Sequence, residues 1–241
     1  TRGGKRHPDA RRCVYPFRPL GVAFPVMAPD TAGEPPVRPT PPDLATLVER
    51  TGGLQPWRRI FHATTGIGAA AALAILEVPR STAVVVLLGL LGGLLALDVT
   101  RLMNRRANAF FFAAFRHLAS PREARGPASS TWYALGILLA VAFFPVEAAV
   151  SGILVLAVAD PAASYVGRRW GRRPLLGATL EGTAVFAVVA FTILAARHGL
   201  GVGVAAAAVL TLAERLSWPL DDNLIVPVAG AAAVLILQSA P

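Results

Sequence analysis

From Arg58 onward the chain alternates long apolar runs with short polar punctuation. Seven stretches, roughly 60–78, 81–98, 131–145, 147–166, 180–196, 200–215 and 223–239, are apolar over most of a bilayer's depth, with 131–145 the shortest. A helical crossing needs ~20 largely apolar residues, fewer where the ends snorkel. The pattern therefore predicts an all-α fold, a polytopic membrane helix bundle of about seven transmembrane helices. Between the second and third stretches, ANAFFFAAFRHL (107–118) is too short to cross and carries its charge at one end, so an interfacial or buried helix is expected. Residues 1–43 are different material. They hold half of the chain's 20 prolines and almost no periodic apolar pattern, so a disordered segment is expected there, followed by a membrane-embedded domain over 44–241. No signal peptide is legible around Leu20 to Ala28, where Pro25 breaks the apolar run.

Composition agrees with that reading. Hydrophobic residues make up 54% of the chain and charged residues only 15%, with a mean hydropathy of +0.56. Charge then gives an orientation. Placed on the seven stretches, Arg58, Arg59, Arg101, Arg105, Arg106, Arg116, Arg122, Arg125, Arg168, Arg169, Arg172, Arg173 and Arg215 share one side, against Arg80 and Arg197 on the other. The arginine-rich side is expected to be cytoplasmic. Asp98, Glu123, Asp160, Glu181, Glu214, Asp221 and Asp222 fall on that same side, so a one-sided site is expected.

The densest candidate chemistry is ADPAASYVGRRWGRRP (159–174). At helical spacing Asp160, Ala163, Ser164, Gly167 and Gly171 share a face on which another backbone can approach closely, and Arg168, Arg169, Arg172 and Arg173 follow where the helix leaves the membrane. Such a face suits a polyphosphate and its metal. An acid inside an apolar span is costly, which favours a functional Asp160. GATLEG (177–182) opens the next stretch with Glu181 and several amides at a helix start, Thr179 serving as cap. Glu214 closes the sixth stretch, and Asp221, Asp222 and Asn223 open the seventh. Cys13 is the sole cysteine and Lys5 the sole lysine, both within 1–43. The membrane part is thereby expected to lack thiolate and Schiff-base chemistry, and phosphate there must be met by arginine.

The order of these pieces resembles the CTP-dependent lipid kinases, a family that includes dolichol kinases, phytol kinases and CTP-using diacylglycerol kinases. The resemblance covers 57–237. It rests on Arg58, Arg59 and His62 before the first stretch, on Asp160, Ala163, Gly167 and Gly171, on Thr179, Glu181 and Gly182, and on Asp222, Asn223 and Pro227 with Glu214 upstream. The family's usual glycine before the Asp is Ala159 here, and its usual lysine in the fifth-stretch element is Ala178.

The resemblance implies phosphoryl transfer from CTP, with Mg2+, to the hydroxyl of a membrane lipid alcohol, a prenol or a diacylglycerol, on the cytoplasmic face and without a nucleic-acid partner. Asp160 and Glu181 are then expected to be catalytic. Asp160, Glu214 and Asp222 would hold the metal. Gly167, Arg168, Arg169, Gly171, Arg172, Arg173, Thr179 and Asn223 would bind the nucleotide, with Arg172 or Arg173 replacing the lysine missing at Ala178. Two alternatives stay open: a cytidylyltransferase forming a CDP-lipid, which calls for a more acidic metal cluster, and a non-catalytic membrane protein derived from the kinases. The CDP-alcohol phosphatidyltransferases are set aside, because no Asp follows Asp160 before Glu181.

Overall fold

A computed structural model of the chain describes residues 43–217 and 220–239. The expected disorder of 1–43 lies outside the described residues except for Asp43. Asp43 caps α1 (Leu44–Glu49) by accepting from the Thr46 amide at 2.9 Å, and that bond, with a second from the Thr46 hydroxyl, holds its carboxyl below the ordinary range.

Each of the seven apolar stretches is a helix. They are α2 (Pro56–Ala74), α3 (Arg80–Met103), α5 (Ser129–Phe143), α6 (Val146–Trp170), α7 (Leu180–His198), α8 (Leu200–Arg215) and α9 (Asp222–Ser239). Four of them, α3, α6, α7 and α9, are long and apolar enough to cross a membrane. The boundaries differ from those expected. α2 starts at its favoured N-terminal Pro56, and α6 runs four residues beyond 166, to Trp170. Among the described residues the strands are a two-stranded hairpin that hydropathy did not predict, β1 (Pro174–Leu175) and β2 (Ala178–Thr179), turned by Leu176 and Gly177 at positive φ.

The helix α6 is the hub. Two thirds of its apolar window is buried, whereas only 11% of that of α3 is, so α3 lies at the periphery. α2, α5, α7 and α9 all pack on α6, α8 bridges α7 and α9, and α3 leans on α5. Small residues permit the close crossings. A Cβ on Gly66 would lie 2.6 Å from that of Ala157 where α2 meets α6, and one on Gly230 would lie 2.7 Å from the Gly152 Cα where α9 meets α6. α7 and α8 are joined by the single residue Gly199 at φ 86°, a conformation that glycine adopts without steric cost.

The short apolar segment between the second and third stretches forms α4 (Arg105–Ala114), a helix with one buried face, on which Phe112 is 0% exposed, and one open face, on which Phe110 is 73% exposed. A closed polar network fixes it to the loop above the bundle. Arg101, 1% exposed, bonds Asp98 at 2.7 and 2.8 Å, the Glu123 carbonyl at 2.6 Å, the Gly126 carbonyl at 2.7 Å and Asn108 at 3.2 Å. Asp98 also accepts from the Ala128 amide and from Thr131 Oγ1 at 2.6 Å, which ties α3 to the start of α5. With Glu123 so placed, its carboxylate holds Arg58 of α2 at 2.8 Å. The network thereby sets one wall of the cavity described next.

Candidate functional site

α2 and α6 lie side by side in rungs. His62 Nε2 sits 3.8 Å from Asp160 Oδ2, and one turn along, Arg59 Nε donates to Ser164 Oγ at 2.8 Å and Arg59 Nη2 to the Ser164 carbonyl at 3.2 Å. The spacing follows from sequence: Asp160 and Ser164 are i, i+4 on α6, and Arg59 and His62 are i, i+3 on α2. The His62 ring is held edge-on against Tyr133, at 4.3 Å between centroids, and its carbonyl accepts from the Tyr133 hydroxyl at 3.0 Å.

These rungs form one wall of a cavity of about 850 Å3. Its rim is completed by Arg58, Arg122 and Trp132, by the 176–179 hairpin with Gly182 and Thr183, and by Glu214, Arg215, Asp221, Asp222 and Asn223. A volume of this size is at the upper end of small-molecule sites. At the N-terminus of α9, Asn223 Nδ2 donates to Asp221 Oδ1 at 2.5 Å and Asp222 Oδ1 at 3.3 Å. Glu214 is ion-paired with Arg215.

Buried polar groups in proteins are nearly always satisfied. Among the described residues three buried side-chain atoms have no hydrogen-bond partner, Arg59 Nη1, His62 Nε2 and Asn223 Oδ1, and all three residues border this cavity.

Of the residues singled out from sequence, the fold brings Asp160, Gly167, Arg168, Thr179, Glu214, Asp222 and Asn223 to the cavity. It does not bring Arg169, Gly171, Arg172, Arg173 or Glu181 there. Arg169 lies over the Trp170 ring, Arg172 and Arg173 are exposed on the hairpin side, and Glu181 accepts from the Arg173 amide at 3.4 Å. Gly171 meets Thr179 instead, since a Cβ there would lie 2.6 Å from Thr179 Oγ1. Thr179 caps α7 through the Gly182 amide at 3.2 Å. Ala178 borders the cavity, and the cations around it are Arg58, Arg59, Arg122, Arg168 and Arg215. Sequence reasoning left out Ser164 as the partner of Arg59 and gave Arg122 and Arg215 only a topological role. The i, i+3 spacing of Arg59 and His62 on the polar edge of α2 was the available signal for that wall.

Among the described residues no three His, Cys, Asp or Glu side chains gather closely enough to hold a metal by themselves. Comparison of the chain with protein-family models, with curated proteins and with solved structures finds no match.

Proposed function

We propose that the protein is a membrane-embedded phosphotransferase that moves the terminal phosphoryl group of a nucleoside triphosphate, CTP by the motif resemblance, onto the hydroxyl of a membrane lipid alcohol. One observation carries the reading. The buried side-chain atoms left without partners, a guanidinium donor, an imidazole nitrogen and an amide oxygen, converge on one cavity that also holds Asp160. A ligand presenting anionic oxygens and donor groups together satisfies all three, and a nucleoside polyphosphate is such a ligand.

Phosphoryl transfer asks a protein mainly to position the reactants and to neutralise charge. Arg59 and Arg168 border the cavity with no carboxylate paired to either among the described residues, which leaves their charge for phosphate oxygens. Asp160 and Asp222 border it with no arginine paired to them among the described residues, whereas Glu214 is engaged by Arg215. Two carboxylates suit Mg2+, which takes its remaining ligands from phosphates and water. Asp160 and Asp222 would hold that ion, and it would supply positive charge to the transferring group. The acceptor oxygen bonds to the terminal phosphorus as the bond to the bridging oxygen breaks, the hydroxyl proton passes to water in the cavity, and the nucleoside diphosphate leaves. Glu181, away from the cavity, has no part in this scheme.

In this reading all seven apolar helices cross the bilayer, and the cavity opens on the cytoplasmic side, the side rich in arginine. The test is transfer of radiolabel from each γ-labelled nucleoside triphosphate to a panel of prenols and diacylglycerols, with the full chain in vesicles. Label on a lipid alcohol, dependent on Mg2+, is expected. In a parallel arm with α-labelled CTP and phosphatidic acid, label in a CDP-lipid would put the cytidylyltransferase reading in its place, and no transfer in either arm would leave a non-catalytic protein.

A further inference from the structure

Arg59 carries an unusual division of labour. Two of its nitrogens are spent on a single residue, Nε on Ser164 Oγ at 2.8 Å and Nη2 on the Ser164 carbonyl at 3.2 Å, while Nη1 is buried and has no partner. The guanidinium also lies 5.9 Å from the Tyr165 ring centroid, which restricts its plane. A planar fork held along one edge has its remaining prong fixed in direction. Ser164 stands one turn after Asp160 and one turn before Arg168 on α6, and all three line the cavity. Along that column an acid is followed by one cation held by Ser164 and then by a second. Successive cations one turn apart match a ligand with successive anionic groups rather than a single carboxylate.

We propose that Ser164 is a positioning residue that aims Arg59 Nη1 at the terminal phosphate of a bound polyphosphate. The inference rests on the phosphoryl-donor reading above and extends it to one contact. It also supplies from α2 a cation to the cavity that Ala178 borders.

The probe is inorganic triphosphate with Mg2+, titrated against the full chain in detergent by thermal shift, with kcat and KM for nucleotide measured alongside. Ser164→Ala weakens triphosphate binding about tenfold, the loss of one charge-assisted bond, while Ser164→Thr, which keeps the hydroxyl, stays within about twofold of wild type. Arg59→Gln loses at least as much, and Ser164→Ala in that background costs nothing further, since the serine acts only through the arginine. Should Ser164→Ala not fold, Arg59→Lys serves instead. A lysine cannot grip Ser164 and reach the phosphate together, so the same loss of about tenfold is expected.

Wild-type affinity in Ser164→Ala or in Arg59→Lys, full additivity with Arg59→Gln, or no triphosphate binding by the wild type overturns the proposal. Binding that depends on Ser164 in a protein that transfers nothing sinks the kinase reading and leaves this contact standing. Normal transfer that ignores Ser164→Ala sinks the contact alone.

Discussion

Two polar clusters, one buried and one half-buried, lie at the same end of the bundle and differ in completeness. In the Asp98 and Arg101 cluster every polar side-chain atom has a partner, and Arg101, the largest fully buried side chain, reaches an acid, an amide and two carbonyls. In the cluster of Arg59, His62, Asp160 and Asn223, three buried side-chain atoms have none, and all four residues border the cavity. A closed network lowers the free energy of the fold, whereas an open one costs free energy that a ligand recovers. Burial of charge therefore marks function only when it is read together with satisfaction.

Mutation should separate the two. The largest effect is expected for Arg101→Ala, which strands the Asp98 carboxylate and the carbonyls of Glu123 and Gly126. Breaking a buried pair costs on the order of 3–5 kcal/mol, so unfolding in mixed micelles should shift strongly. An unshifted transition would mean that the closed cluster is not structural. Asp160→Asn should do the reverse. It keeps the shape and removes charge, so turnover falls about 100-fold or more while the unfolding midpoint stays level or rises. Substantial destabilisation by Asp160→Asn would erase the distinction between the clusters.

Smaller effects sharpen it. Gly171→Ala should destabilise by about 1–3 kcal/mol, because its Cβ meets the Gly167 carbonyl and Thr179, whereas Gly93→Ala, with open space around it, should be neutral within about 0.5 kcal/mol. Equal effects at the two positions would show that the turn closing α6 has room for a side chain. Smallest of all, Arg172→Ala and Arg173→Ala should change the nucleotide requirement in the transfer assay by less than about twofold, since neither residue borders the cavity. A loss of tenfold at either would return the phosphate contact to the hairpin.

The sequence alone carried the helices, because hydropathy along a chain reports directly on what each segment must be shielded from. It carried Asp160 for a related reason, a carboxylate being expensive among apolar neighbours. In the sequence Asp98 shows only an arginine three residues on, Arg101, as a partner. Its bonds to Ala128 and Thr131 come from the start of α5, 30 and 33 residues later, which no periodicity encodes.

The arginines show the limit most plainly. Four follow Asp160 within the same motif, yet only Arg168 reaches the cavity, and the companion cation is Arg59, 105 residues before the Ser164 that holds it. Helical period assigns a residue to a face of its own helix, and from it came the shared face of Asp160, Ser164 and Gly167. It does not say which helix will lie against that face. That was decided by packing, where Gly66 lets α2 close on Ala157 and so brings His62 to Asp160 and Arg59 to Ser164. Composition and periodicity determined an all-α membrane-type protein with an acid set among small residues. Which charges neutralise one another and which stand unpaired among the described residues was fixed only by the tertiary structure, because hydrogen bonds and ion pairs depend on distances between segments rather than on position along the chain.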